Sequence, residues 1–185
     1  RNPGYSIDLD KALREITTQA PTLIFLTTPN NPTGTITPLE EIERIAKFCR
    51  ENNLLLVVDE AYQEFSSEKS AVTLVEQYPN ILVSRTMSKA FAFAGARVGY
   101  LVAHPSVIEV MLLVRLPYHL SALTQAAAEV ALEYREELLG NVERLIKARI
   151  WVESELARLG LNVVPSKANF LLFSGFDIPA PILWK

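Results

Sequence analysis

TLIFLTTPNNPTGTITPLEEIERIAKFCRENNLLLVVDEAY, residues 22–62, reads as one strand–loop–helix–strand unit. The apolar run 22–28 ends in the turn-rich PNNPTG. Thr37-Pro38-Leu39-Glu40 then has the form of a capping box with proline at the first helical position, which predicts a helix over 38–51. Leu39, Ile42, Ile45 and Cys49 make one apolar stripe along it, and LLLVV at 54–58 is a second strand. Outward from this unit the alternation continues. A short helix is predicted over 8–16, a polar turn near 60–69, a helix near 71–77, strands at 81–86 and 98–103, and a helix at 105–115 ending before Pro117. The strands are apolar almost throughout, as expected where helices cover both faces of a mostly parallel sheet, so the fold class is α/β. From Ser121 to about Leu159 the chain is helical in propensity, with Gly140 as its natural break. Two strand-like stretches follow, 161–164 and 168–174. The expected organisation is a partial large domain over 1–134 and the start of a small α+β domain over 135–185.

Composition narrows the class. Hydrophobic residues are 49% of the 185, charged residues 21%, and the net charge is −3, with no basic excess to suit nucleic acid or an anionic membrane. The longest apolar runs stop far short of the roughly 20 residues of a spanning helix. RNPGYSIDLD carries no apolar signal region and no initiating Met, and reads as an internal cut. The single cysteine, Cys49, excludes an internal disulfide and falls on the apolar stripe, so it is expected in the core. A cytoplasmic setting fits these features. No internal repeat or low-complexity segment is visible.

Three chemistry-bearing residues each follow a predicted strand: Asn31 after 22–28, Asp59 after 54–58 and Lys89 after 81–86. In an open α/β sheet, ligands bind beyond the carboxyl ends of the strands, so these side chains converge on one edge. Lys89 lies in RTMSKAF between Ser88 and Ala90, a setting in which partial desolvation would favour the neutral, nucleophilic amine; the plainer reading is a surface lysine. A carboxylate at Asp59, where a buried strand ends, needs a partner. A protonated pyridine nitrogen would be one, and a helix N-cap role is the plainer alternative. Tyr62, by itself an ordinary packing residue, and Asn31 are placed to hold a phenolic oxygen from two sides. Ser88 and Arg97, with Thr86 as a weaker third, suit a phosphate; Gly95 permits the turn that would bring Arg97 back beside Lys89. An amine for an aldehyde, an acid for a ring nitrogen, donors for a phenolate and ligands for a phosphate are together what pyridoxal 5'-phosphate (PLP) requires. His104 and His119 have no partner at metal spacing and are expected in structural or solvent roles. VVDEA also has the look of the acidic strand of a helicase-like ATPase, but no GxxxxGK[ST] loop precedes it.

PNNPTG, VVDEAY and RTMSKAFAFAGARVGY resemble the fold-type I, PLP-dependent aminotransferases of class II, and most nearly the histidinol-phosphate aminotransferases. SKANFLLF (166–173) resembles the start of that family's small domain. The resemblance implies transfer of an amino group from a donor such as glutamate, through PLP, to a phosphorylated keto substrate. It implies Lys89 as covalent anchor and general acid/base, Asp59 at the ring nitrogen, Tyr62 and Asn31 at the phenolic oxygen, and Ser88, Arg97 and Thr86 at the phosphate. It also implies a homodimeric parent about twice this length. The chain is then expected to be the middle of such an enzyme, with open sheet edges and little or no transaminase activity alone. An aromatic aminotransferase, a threonine-phosphate decarboxylase and a non-catalytic regulatory module of the same fold are the alternatives.

Overall fold

The computed structural model describes residues 2–184. Four strands, β1 (Leu23–Thr27), β2 (Leu55–Asp59), β3 (Ile81–Thr86) and β4 (Gly99–Ala103), form one sheet in sequence order. β1, β2 and β3 are parallel, whereas β4 runs antiparallel to β3. The parallel pair β1–β2 is joined through α2 (Leu39–Glu51), and α1 (Leu9–Gln19) precedes β1. Asp8 caps α1 by accepting from the Lys11 N–H at 3.0 Å.

Packing explains the strand composition on one face only. Leu26, Leu56, Val58, Ile81 and Val83 meet Ile42, Ile45, Ala46 and Cys49 of α2, with Leu74, Val75 and Tyr78 closing the cluster. Successive strand residues point to opposite faces, and on the other face Phe25 is 71% exposed, with Leu23 and Leu55 also exposed. Among the described residues the expected cover of the second face is therefore incomplete: it is open at Leu23, Phe25 and Leu55, whereas Leu82 of β3 is buried there. A second cluster lies beyond the carboxyl ends of the strands, where Tyr62, Phe65, Met87, Ala90, Phe91 and Val98 pack with Val142 and Ala168.

Several local expectations change. The helix over 38–51 forms, but Pro38 is its N-cap and no side chain caps it. The Thr37 N–H that a capping box would offer to Glu40 goes instead to Thr28 Oγ1 at 3.0 Å, and Thr37 is buried. The segment near 71–77 makes only one 3-10 turn, Ala71–Leu74, because β-branched Val72, Thr73 and Val75 are followed closely by Pro79. Gly140 does not interrupt the later helices. Helix α3 (Pro105–Val114), N-capped by His104, is followed by α4 (Ala122–Glu133), and the break falls at Tyr134 before α5 (Arg135–Arg158). A mid-helix glycine costs only about 1 kcal/mol, which packing of Val142 and its neighbours offsets. Strands β5 (Asn162–Val164) and β6 (Leu172–Ser174) form an antiparallel pair, and α6 (Ala180–Leu183) follows. Among the described residues no helix is long and apolar enough to cross a membrane.

A buried ion network ties β2, β3 and the turn between them. Glu60 is 1% exposed. Its Oε1 accepts from the Ala71 N–H at 2.6 Å, and its Oε2 from Ser70 Oγ at 2.7 Å and from Arg85 Nε at 2.9 Å, with Arg85 Nη2 in ion-pair contact at 2.8 Å. Arg85 Nη1 also pairs with Glu64 at 2.9 Å. Removing one partner strands a buried charge, so Arg85→Met is expected to lower unfolding free energy by about 3 kcal/mol, read by urea denaturation. A loss below about 1 kcal/mol would show the network to be dispensable.

Burial of Cys49 pushes its thiol from 9.0 up to about 11. The native state thus holds the proton more tightly than the unfolded chain. The stability this contributes is whole below pH 9 and is lost as pH rises towards 11. Alkylation of native protein at pH 8 should be negligible and should become fast only with denaturant; rapid native labelling would contradict the burial.

Candidate active site

The parallel strands end side by side, and the expected residues lie at or just beyond those ends. Asn31 sits in the loop after β1, which is closed by the Asn30 N–H donating to Thr35 O (2.8 Å) and the Gly34 N–H to Asn30 O (2.7 Å). Asp59 is the last residue of β2, half-buried on the uncovered face. Its Oδ1 accepts from the Ala61 N–H at 3.1 Å and, at the edge of bonding distance, from Ser84 Oγ at 3.4 Å. Among the described residues its Oδ2 has no hydrogen-bond partner, leaving one carboxylate oxygen to face a ligand.

Tyr62 is 7% exposed, and its hydroxyl accepts from Asn31 Nδ2 at 3.1 Å across 31 residues of sequence. That bond leaves the phenolic hydrogen free to donate outward. The Lys89 ammonium lies 5.4 Å from the centroid of the same ring. Lys89 is exposed and makes no ion pair among the described residues. The geometry therefore brings Asn31, Tyr62 and Lys89 together, with Asp59 on the adjacent strand end.

The remaining residues lie on the loop between β3 and β4. Thr86 Oγ1 donates to Val98 O at 3.3 Å and accepts from the Ser88 N–H at 3.1 Å, so this hydroxyl is partly committed to holding the loop. The Met87 N–H donates to Val98 O at 3.1 Å and the Phe93 N–H to Met87 O at 3.0 Å, which folds the lysine segment back on itself. Arg97 has left-handed backbone (φ 56°), follows a 3-10 turn at Ala94–Ala96 and is exposed. Its guanidinium donates to Ala94 O at 3.1 Å, within its own loop, and makes no hydrogen bond to Thr86, Ser88 or Lys89 among the described residues. The 3-10 turn at Ala94–Ala96 contains Gly95 and places Arg97 at its C-terminal end.

Three supporting features escaped the sequence reading. The Glu60–Arg85 network is one, and a charged residue inside the apolar strand ILVSRT was its available signal. Arg149 of α5 is another: its Nη1 donates to Ala168 O at 2.7 Å and, more weakly, to Phe65 O at 3.4 Å, and burial holds its guanidinium below the ordinary arginine range. The third is the close approach of Gly34 to Ser166. A Cβ on Gly34 would overlap Ser166 Oγ and lie 2.6 Å from Ser166 Cβ, at a backbone φ of +72°.

The chemistry of this donor set fits PLP: an unpaired amine, a carboxylate with a free oxygen, and a phenol–amide pair beside them. Among the described residues no group of three or more His, Cys, Asp or Glu could hold a metal. The family model for aminotransferase class I and II matches residues 1–184. The chain belongs to this family. It is 53% identical, over its whole length, to histidinol-phosphate aminotransferase of Mycobacterium sp. (strain JLS), and 53% identical over 96% of its length to that of Corynebacterium glutamicum (strain R). In both cases it covers 48% of the relative, so the chain spans about half the length of these curated proteins. Among solved structures, histidinol-phosphate aminotransferase from Sinorhizobium meliloti in complex with pyridoxal-5'-phosphate matches with a TM-score of 0.78 and 30% identity, over 90% of this chain and 46% of that one.

The Gly34 contact yields a direct test. Gly34→Ala combines left-handed strain with a steric overlap and should cost about 2 kcal/mol of stability. A thermal midpoint unchanged within error would show that the loop does not pack on Ser166.

Proposed function

We propose that the chain is the central part of a PLP-dependent aminotransferase acting on histidinol phosphate with 2-oxoglutarate as the keto partner. The observation that carries the reading is the meeting of Asn31, Tyr62 and Lys89 beside Asp59 at one sheet edge. The naming of relatives at 53% identity supports the substrate. PLP, when bound, supplies an electron sink for bond cleavage at the carbon bearing the substrate amine.

The chain's residues take the following parts. Lys89 Nζ would hold the cofactor aldehyde and would hold and move a proton at the carbon bearing the substrate amine. Asp59 holds the ring nitrogen in its protonated form through its free Oδ2. Asn31 Nδ2 and the Tyr62 hydroxyl donate to the phenolic oxygen from adjacent positions. Ser88, with Thr86 beside it, and Arg97 bind the phosphate; for Arg97 this requires exchanging Ala94 O for the anion, an easy step for an exposed side chain. Residues 1–134 supply these groups, and residues 135–185 begin the second domain.

The whole enzyme is proposed to be a cytoplasmic homodimer. The exposed apolar run Leu112, Leu113, Val114 and Leu116, with Tyr118 (99% exposed) and Leu123, supports a protein partner on α3 and α4. Its partners otherwise are a small amino donor and a phosphorylated substrate, and not nucleic acid or membrane. The chain alone is expected to turn over little.

Incubation with PLP, borohydride reduction and peptide mass spectrometry test the site. A pyridoxyl adduct confined to Lys89, and absent from Lys89→Ala, is the expected result. An adduct spread over other lysines, or none in either protein, would overturn the assignment.

A further inference from the structure

Residues 166–170, between β5 and β6, touch Tyr62 and the loop that carries its partner Asn31. Ser166 and Ala168 are buried, and Ser166 Oγ accepts from the Ala168 N–H at 3.1 Å. On one side the Lys167 N–H donates to Gly34 O at 2.8 Å, which fastens the segment to the loop carrying Asn31. On the other side Phe170 meets the Tyr62 ring edge-on, with centroids 5.1 Å apart and planes at 90°. Arg149 binds Ala168 O and Phe65 O, joining the same segment to the turn just after Tyr62. One five-residue stretch thus braces two groups that lie 31 residues apart in sequence.

We propose that Phe170 is a positioning residue that sets the direction of the Tyr62 hydroxyl, and through it the two-donor grip of Tyr62 and Asn31 on the cofactor's phenolic oxygen. The proposal rests on the PLP reading of the site. Phe170 touches no reacting atom. Its effect is geometric: an edge-to-face contact restrains ring rotation and tilt, and hydrogen bonds weaken steeply as their angle opens. Two donors aimed at a phenolic oxygen favour its ionised form. Loosening one of them should raise the pH at which the bound cofactor titrates. A purely structural role would lower stability and leave that pH unchanged.

The test is a pH titration of the visible absorption of PLP-loaded protein, for the unsubstituted chain, Tyr62→Phe, Phe170→Leu and Phe170→Tyr. Tyr62→Phe, which removes the donor, should raise the midpoint by about one pH unit. Phe170→Leu should raise it by a substantial part of that, and Phe170→Tyr, which keeps the ring edge, should match the unsubstituted protein. Should Phe170→Leu fail to fold by circular dichroism, Phe170→Met carries the same two outcomes with an unbranched side chain. A Phe170→Leu or Phe170→Met midpoint equal to that of the unsubstituted protein, beside a shifted Tyr62→Phe, overturns the positioning role and leaves the pocket standing. Absence of a PLP adduct on Lys89 in the unsubstituted protein overturns the pocket, and this proposal with it.

Discussion

The buried carboxylate of Glu60 is the constraint on which the site's geometry depends. Asp59 and Glu60 are adjacent acids at the end of β2, and strand alternation sends them to opposite faces. Asp59 faces the uncovered side, where a ligand can reach it. Glu60 continues the line of Leu56 and Val58 into the covered side, where water cannot solvate it. A charge there is tolerable only because an amide, a hydroxyl and a guanidinium converge on it. These partners come from the turn at Ser70–Ala71 and from Arg85 of β3. Satisfying Glu60 therefore fixes the path of residues 60–71, and with it Tyr62. It also fixes Arg85 near the end of β3, four residues before Lys89.

Burial divides the residues into those that hold and those that act. Lys89, Asn31 and Arg97 are exposed and Asp59 is half-buried, whereas Glu60, Phe65, Ser166 and Ala168 are buried. The amine proposed to anchor the cofactor gains from access and from the lack of a fixed ion pair. Its neighbours gain from being over-determined. Tyr62 joins the two groups: its ring is buried against Phe170 while its hydroxyl reaches the exposed Asn31 amide.

Much of the fold was legible because its signals are local. Apolar runs marked β1 to β4 within about a residue at each end, and the apolar stripe of α2 predicted its buried face, Cys49 included. The candidate site was legible because topology alone brings the ends of parallel strands together. The failures arose where a distant partner outweighed a local preference. Thr28 took the amide that a capping box would have used, so Thr37 does not cap α2. Gly140 lowers helix propensity but packing of its neighbours carries α5 through it. The braces from Arg149 to Ala168 and from Phe170 to Tyr62 are tertiary contacts between segments distant in sequence, which no spacing rule encodes.

The same reasoning accounts for what the apolar strand pattern did not reveal. A continuous apolar strand reports that both its faces are suited to burial, without stating which polypeptide provides the cover. On the face lined by Leu26, Val58 and Val83 the cover is α2, contributed from within the unit that the sequence makes obvious. On the other face Leu23, Phe25 and Leu55 stay exposed among the described residues. Asp59 opens on that second face. A segment packed there would exclude water from the carboxylate and strengthen the proposed hold of Asp59 on a cationic ring nitrogen, since the attraction between opposite charges grows as the surrounding dielectric falls. The hydrophobic pattern of β1 and β2 and the strength of the proposed ring-nitrogen contact are thus set by one physical variable, the covering of a single sheet face.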